Sequence, residues 1–177
     1  MEAINKYYLN NGIIYPIKEF TDEDSKEKII YEVLRVVNGK PAFLKDHLER
    51  MKKSFKLINK EFPYDEDEIT KMINEFEKRR NYMINRIESI DNLSIVKPKG
   101  AFYIMINIEN CLGKEINGKI LNDSMEFCAS LLENEKLAVI PGKAFGLNNY
   151  IRVSYATSME AIKEGLNRIE SFIKKLN

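Results

Sequence analysis

The stretch Asp65-Glu-Asp-Glu-Ile-Thr-Lys-Met-Ile-Asn-Glu-Phe-Glu-Lys-Arg-Arg80 decides how the chain divides. Its acids stand where a helix N-terminus favours negative charge, and Pro63 ends the pattern before it. Ile69, Met72, Ile73, Phe76, Met83, Ile87 and Ile90 recur at helical spacing, with Arg80 on the same stripe. One helix over about residues 66–89, roughly 36 Å long at the α-helical rise, is expected. It separates a first half made of hairpins and a helix from a second half that alternates helices with pairs of strands.

Upstream of it, Tyr7 to Ile17 holds two short β-like runs broken at Asn10-Asn-Gly12, a hairpin signal. Thr21 to Lys28 reads as a loop or a short helical turn. Ile29 to Val37, rich in β-branched residues, ends at the turn Asn38-Gly39, and Pro41-Ala-Phe43 reads as the returning strand. Leu44, Leu48, Met51, Phe55 and Ile58 then mark one face of an amphipathic helix. Downstream, Leu93–Val96 and Ala101–Ile108 are strand-like on either side of Pro98-Lys-Gly100. Asp123–Glu135 is a helix with Met125, Phe127, Cys128, Leu131 and Leu132 as apolar positions. Leu137–Ile140 and Tyr150–Tyr155 are strands, and Ser158 caps a final helix reaching Leu176. The fold class is α+β: antiparallel hairpins plus a helix, a long connecting helix, then a small α/β subdomain.

Composition excludes several classes of function. The 177 residues carry a formal charge of +1 and are 44% hydrophobic, so a packed core is expected and no basic stripe marks a nucleic-acid partner. No apolar run reaches the roughly 18 residues of a membrane span, and the N-terminus has no signal core. The chain reads as cytoplasmic. Cys111 and Cys128 lack metal-binding or redox spacing and read as two buried thiols, and with His47 the only imidazole no metal site is expected.

Two groups of motifs carry a resemblance. Tyr31-Glu-Val, Asn38-Gly-Lys-Pro41 and His47-Leu-Glu-Arg50 resemble the N-terminal domain of fold-type-IV aminotransferases, the branched-chain and D-amino-acid enzymes, over about residues 5–74. Glu77-Lys-Arg-Arg-Asn-Tyr-Met83, Lys97-Pro-Lys-Gly-Ala-Phe-Tyr103, Pro141-Gly-Lys-Ala-Phe-Gly146 and Tyr150-Ile-Arg-Val-Ser-Tyr-Ala156 resemble the small domain of fold-type-I aminotransferases, the aspartate group, over residues 75–177. The resemblance therefore implies two subdomains, 1–74 and 75–177, joined inside the long helix near Glu75-Phe-Glu-Lys78. Both families use pyridoxal phosphate (PLP). By resemblance, Arg50 is a ligand of the cofactor phosphate, Tyr31 a wall of the substrate pocket, and Arg152 the holder of a substrate carboxylate. A guanidinium fork suits both anions. On spacing alone, Arg50 reads instead as an exposed helix arginine paired with Asp46, and Arg152 as a strand arginine facing solvent or Glu160. Gly100 marks either a close backbone approach beside the pocket or a simple turn. One departure from the type-IV pattern is Ser25-Lys-Glu-Lys-Ile-Ile30, where those enzymes carry a glycine-containing segment.

PLP chemistry needs a Schiff-base lysine and an acid at the pyridine nitrogen. In both families the lysine lies in a part this chain does not show. The local pattern Ser-x-x-Lys occurs at Ser25–Lys28, Ser94–Lys97 and Ser171–Lys174, and three occurrences in a lysine-rich chain single out none. No catalytic residue is assigned, and PLP is implied by resemblance only, with no covalent attachment expected. The reading is a hybrid of aminotransferase pieces without transaminase activity by itself. The alternatives are an active aminotransferase with a displaced lysine or completed by another chain, and a non-catalytic binder of a small anion or amino acid. The expected ligand is an amino acid or dicarboxylate. A homodimer is expected as well, because apolar surfaces that would meet the absent domains are exposed.

Overall fold

The computed structural model describes the backbone of Glu2–Ile4, Tyr7–Asn10 and Ile13–Pro16, and all of residues 30–37 and 40–177. The chain forms two compact units, one of Met1–Leu34 with Phe43–Asp65 and one of Arg35–Ala42 with Glu66–Asn177. Their mixture of helices and small antiparallel sheets is an α+β fold. The change of unit falls at the start of the long helix.

In the first unit, strands β1 (Glu2–Ile4), β2 (Tyr7–Asn10) and β3 (Ile13–Pro16) form an antiparallel sheet. Asn10 pairs with Ile13, the register of a two-residue hairpin around the Asn-Gly signal. β1 had no sequence signal strong enough to single it out. The segment expected as a loop or turn, Thr21–Lys28, lies outside the described residues. Helix α1 (Leu44–Leu57) starts after Phe43, whose φ of 53° is left-handed. Its apolar face buries Leu48, while Phe55 in its last turn meets Phe62 edge to face, and Phe62 meets Tyr64 in the same way.

The second unit holds the main core. Strands β4 (Val36–Val37) and β5 (Lys40–Pro41) form a short hairpin, so the strand expected over Ile29–Val37 is paired only at its end. Residues 30–35 have no ladder partner among the described residues, and β-branched composition alone does not supply one. Helix α2 (Glu66–Glu88) matches the expected span closely, but only its second half is core: Met83, Ile84 and Ile87 are buried while Met72 is exposed.

A four-stranded antiparallel sheet runs in the order β10 (Ile140–Pro141), β11 (Tyr150–Ser154), β7 (Tyr103–Asn107), β6 (Ser94–Ile95). The strand expected over Leu137–Ile140 is thus confined to its last residue and Pro141, where pairing with β11 begins. Strand alternation places Ile104, Ile106 and Ile151, all fully buried, on one face. Tyr103, Met105, Arg152 and Ser154 fall on the other.

Helices α3 (Ser124–Glu135) and α4 (Met159–Lys174) cover the core face, and Phe127 meets Phe172 edge to face at 5.1 Å. Both helices start as their sequences dictate. Asp123 accepts from the backbone N–H groups of Met125 and Glu126, and Ser158 from that of Ala161. The hairpin β8 (Glu115–Ile116) to β9 (Lys119–Ile120) turns at Asn117-Gly118, both with positive φ. This is the same dipeptide signal as at Asn11-Gly12, and the sequence reading passed over it.

Candidate functional site

Arg152 lies at the centre of β11, opposite Met105 on one side and Ile140 on the other. Its guanidinium carbon stands 5.0 Å from the centre of the Tyr103 ring and 4.5 Å from that of Phe145. Guanidinium stacked on aromatic faces keeps its in-plane N–H donors free, because the rings engage only the flat face. Among the described residues, no carboxylate pairs with it, and Glu160, the acid proposed from the sequence, does not. Tyr103 is placed by the strand register and Phe145 by the short turn Gly142–Phe145.

That turn is tightly built. A Cβ on Gly142 would sit 2.4 Å from the Leu147 carbonyl oxygen and 2.5 Å from that of Tyr150, so glycine is required there. The backbone N–H of Lys143 donates to the buried Ser124 hydroxyl, and the Lys143 ammonium donates to Asp123 at 2.7 Å. Lys143, together with the backbone N–H of Glu126, holds the Asp123 carboxyl below its ordinary range. Gly100 differs from Gly142. A Cβ there would meet nothing within 4 Å, and the left-handed residue of that loop is Ala101, at φ 63°. No part of the described protein approaches Gly100 closely.

A cavity of about 660 Å³ adjoins the β10 edge of the sheet. It takes Tyr103, Arg152 and Ser154 from one face of the strands, and Met83, Ile162 and Leu166 from the helices on the other. Among the described residues, Arg152 is its only charged wall residue.

Arg50, in the first unit, has a different environment. Its Nε and Nη2 donate to the two carboxylate oxygens of Glu32, both at 2.7 Å. The partner is Glu32, eighteen residues earlier, and not Asp46. His47 Nδ1 completes the cluster, 2.9 Å from Arg50 Nη2 and 3.2 Å from Glu32 Oε1. The bond from Arg50, followed by the N–H of Val33 and His47, lowers the Glu32 pKa to about 2 against desolvation. Glu32 is therefore an anion at any ordinary pH. A cofactor phosphate brought to this edge of Arg50 meets that anion, so the residues present do not fit PLP as they stand. Tyr31, beside Glu32, is 80% exposed.

The two described lysines of the Ser-x-x-Lys pattern are surface groups. Lys97 pairs with Glu88 at 3.0 Å and Lys174 with Glu170 at 2.8 Å, and Lys28 lies outside the described residues. Both thiols are free and buried, and burial pushes Cys111 up to about 11 and Cys128 to about 12. Among the described residues, no set of three His, Cys, Asp or Glu side chains converges as a metal site, and no helix is long and apolar enough to cross a membrane.

The partners Glu32, Tyr103 and Phe145 escaped the sequence reading, although all three sit inside the motifs quoted for the resemblance. A motif gives the residue types but not which of them touch.

Comparison with known proteins agrees with these motifs. The family model of class IV aminotransferases matches residues 29–109. A probable aspartate/prephenate aminotransferase of Rickettsia bellii is 44% identical over 96 residues, 54% of this chain and 24% of that protein. An aspartate aminotransferase of Rhizobium meliloti is 42% identical over 103 residues, 58% of this chain and 25% of that protein. Among solved structures, the Rhizobium meliloti aspartate aminotransferase superposes with a TM-score of 0.62 at 38% identity, covering 65% of this chain and 29% of that one. An aromatic aminotransferase from Pyrococcus horikoshii gives 0.53 at 35% identity, covering 62% and 28%. The chain spans about a quarter of the length of the curated relatives it matches. Over the part that matches, it is similar to aminotransferases.

Proposed function

We propose that the chain is a hybrid of aminotransferase pieces that binds a carboxylate at Arg152 and has no transaminase activity by itself. The observation that carries the binding is the Arg152 guanidinium, stacked on Tyr103 and Phe145 with no acid partner among the described residues. One cation on an otherwise uncharged cavity wall accommodates one carboxylate. The ligand is accordingly an amino acid or 2-oxo acid with an apolar body, in preference to a dicarboxylate. The hybrid reading joins a type-IV-like piece, 1–74, to an aspartate-type small-domain piece, 75–177, within α2. It is supported by the two sets of motifs, with aspartate-type relatives covering more than half of the chain, while the class IV match, residues 29–109, extends across the proposed join. Two observations support the proposed inactivity. The described lysines of the Schiff-base pattern are exposed ion-pair partners, and the Arg50 fork holds a carboxylate. A cytoplasmic homodimer remains part of the proposal, resting on exposed apolar side chains such as Phe102 and Phe145.

Titration calorimetry with phenylpyruvate and with 2-oxoglutarate tests the binding. Saturable binding of phenylpyruvate, at least tenfold weaker in Arg152→Gln, is expected. Equal heats in wild type and variant would remove the site. For inactivity, the protein is mixed with PLP, reduced with borohydride and mapped by mass spectrometry. A single stoichiometric lysine adduct with turnover of an amino donor would establish an active enzyme instead. Sedimentation as a monomer at high concentration would dispose of the dimer.

A further inference from the structure

The Arg50 cluster poses a question that the resemblance does not answer. A phosphate dianion binds arginine best along the edge that presents two parallel N–H groups. In this chain one of the two such edges of Arg50, Nε with Nη2, faces Glu32 in the same two-pronged geometry, with both contacts at 2.7 Å. Glu32 is itself held in place. One of its oxygens accepts from the Val33 backbone N–H at 3.0 Å, and its side chain is only 16% exposed. His47, 17% exposed, packs against both members of the pair. Asp46, on the same helix, places a second negative charge near Arg50.

We infer that Glu32 is a built-in occupant of the Arg50 fork, an intramolecular carboxylate that excludes phosphate from this position. The argument is one of competition at fixed geometry. Glu32 and Arg50 belong to one compact unit, so their encounter is intramolecular, and a free anion must displace a partner that is always at hand. An incoming phosphate that left Glu32 in place would lose the Nε–Nη2 edge, would find Nη2 of the other edge already 2.9 Å from His47 Nδ1, and would lie next to a like charge. The Arg50 side chain is 60% exposed, so access is not what limits binding; the occupied edge is. Glu32 thus sets the specificity of the cluster, and neutralising it without changing its shape turns the cluster into a phosphate site. The inference rests on the aminotransferase reading only for the choice of phosphate as the probe.

The test uses the full chain and inorganic phosphate, followed by 31P NMR titration in low-salt buffer, with wild type, Glu32→Gln, Arg50→Ala and the double variant. Wild type and Arg50→Ala are expected to bind phosphate equally within twofold. Glu32→Gln is expected to bind at least tenfold more tightly, and the double variant to lose that gain. PLP, read by its absorbance, should follow the same order. Two results overturn the inference: wild-type affinity that falls tenfold in Arg50→Ala, or a folded Glu32→Gln that binds no more tightly than wild type. The first comparison does not depend on how Glu32→Gln folds, and Glu32→Asp, whose shorter arm loosens the pair, gives an intermediate gain as a second check. Phenylpyruvate binding at Arg152, measured on the same samples, separates the two proposals. Its loss with the phosphate order intact removes the carboxylate site alone, and the reverse removes the Glu32 assignment alone.

Discussion

Arg50 and Arg152 are the same side chain in two opposite situations. Arg50 lies on a helix with its best hydrogen-bonding edge closed by Glu32, and Arg152 lies on a strand with its flat face covered by rings. A carboxylate consumes the donors that an anionic ligand needs, whereas an aromatic face leaves them available. The two units differ in the same sense. The large buried cluster, from Met83 to Leu176, lies wholly in the second unit, so the strand carrying Arg152 is backed by packed side chains. In the first unit, Leu48 is the one buried apolar side chain among the described residues. An anion site therefore depends on what surrounds the arginine and on how rigidly its element is held.

The largest test of this contrast removes the support of the second unit. Phe172→Ala should cost about 3–5 kcal/mol in urea unfolding, since Phe172 is fully buried against Phe127. It should take ligand binding at Arg152 with it, while leaving the far-UV helical signal of any residual first unit. Gly142→Ala should cost about 1–3 kcal/mol, because the new Cβ must push two carbonyl oxygens aside. Its sharper readout is weaker phenylpyruvate binding through displacement of Phe145. Unchanged affinity in that variant would show that Phe145 stacking is irrelevant to the site. Arg152→Lys should lower affinity about tenfold, or about 1.4 kcal/mol, since an ammonium retains the charge and loses the planar fork. Asp123→Ala should cost about 1 kcal/mol, the value of one helix N-cap, without altering binding at Arg152 beyond that loss.

The smallest effect is a pH dependence. Lys174 and then Arg86 hold the Glu170 carboxyl at about 2, against an ordinary 4.5. As pH falls, the unfolded chain takes up this proton before the folded one does. Glu170 therefore contributes fully above about pH 5, and its contribution disappears as pH drops towards 2. Glu170→Gln should flatten the acid limb of the stability curve over that window. A curve identical to wild type would mean that the α2–α4 bridge adds nothing.

Much of the architecture was readable in the chain. Helix periodicity placed α1, α2, α3 and α4 within a few residues of their ends, and Asp123 and Ser158 marked two starts, because caps and apolar stripes act within a turn or two of the backbone. Strand lengths were overread at Ile29–Val37 and Leu137–Ile140, since a β-ladder exists only where a partner strand arrives. The half-buried stripe of α2 had a related cause. Periodicity shows which face is apolar, but only the incoming sheet and α4 decide how far along the helix that face is covered.

Sequence alone determined the helical segments and two of their caps, which are written in neighbouring residue types, and resemblance singled out the two arginines as candidate anion holders. Tertiary structure decided which arginine retains its donors. Glu32 meets Arg50 across eighteen residues, and Phe145 meets Arg152 from a separate turn of the chain. Electrostatics falls off over a few ångströms of space, and separation along the chain does not measure that distance.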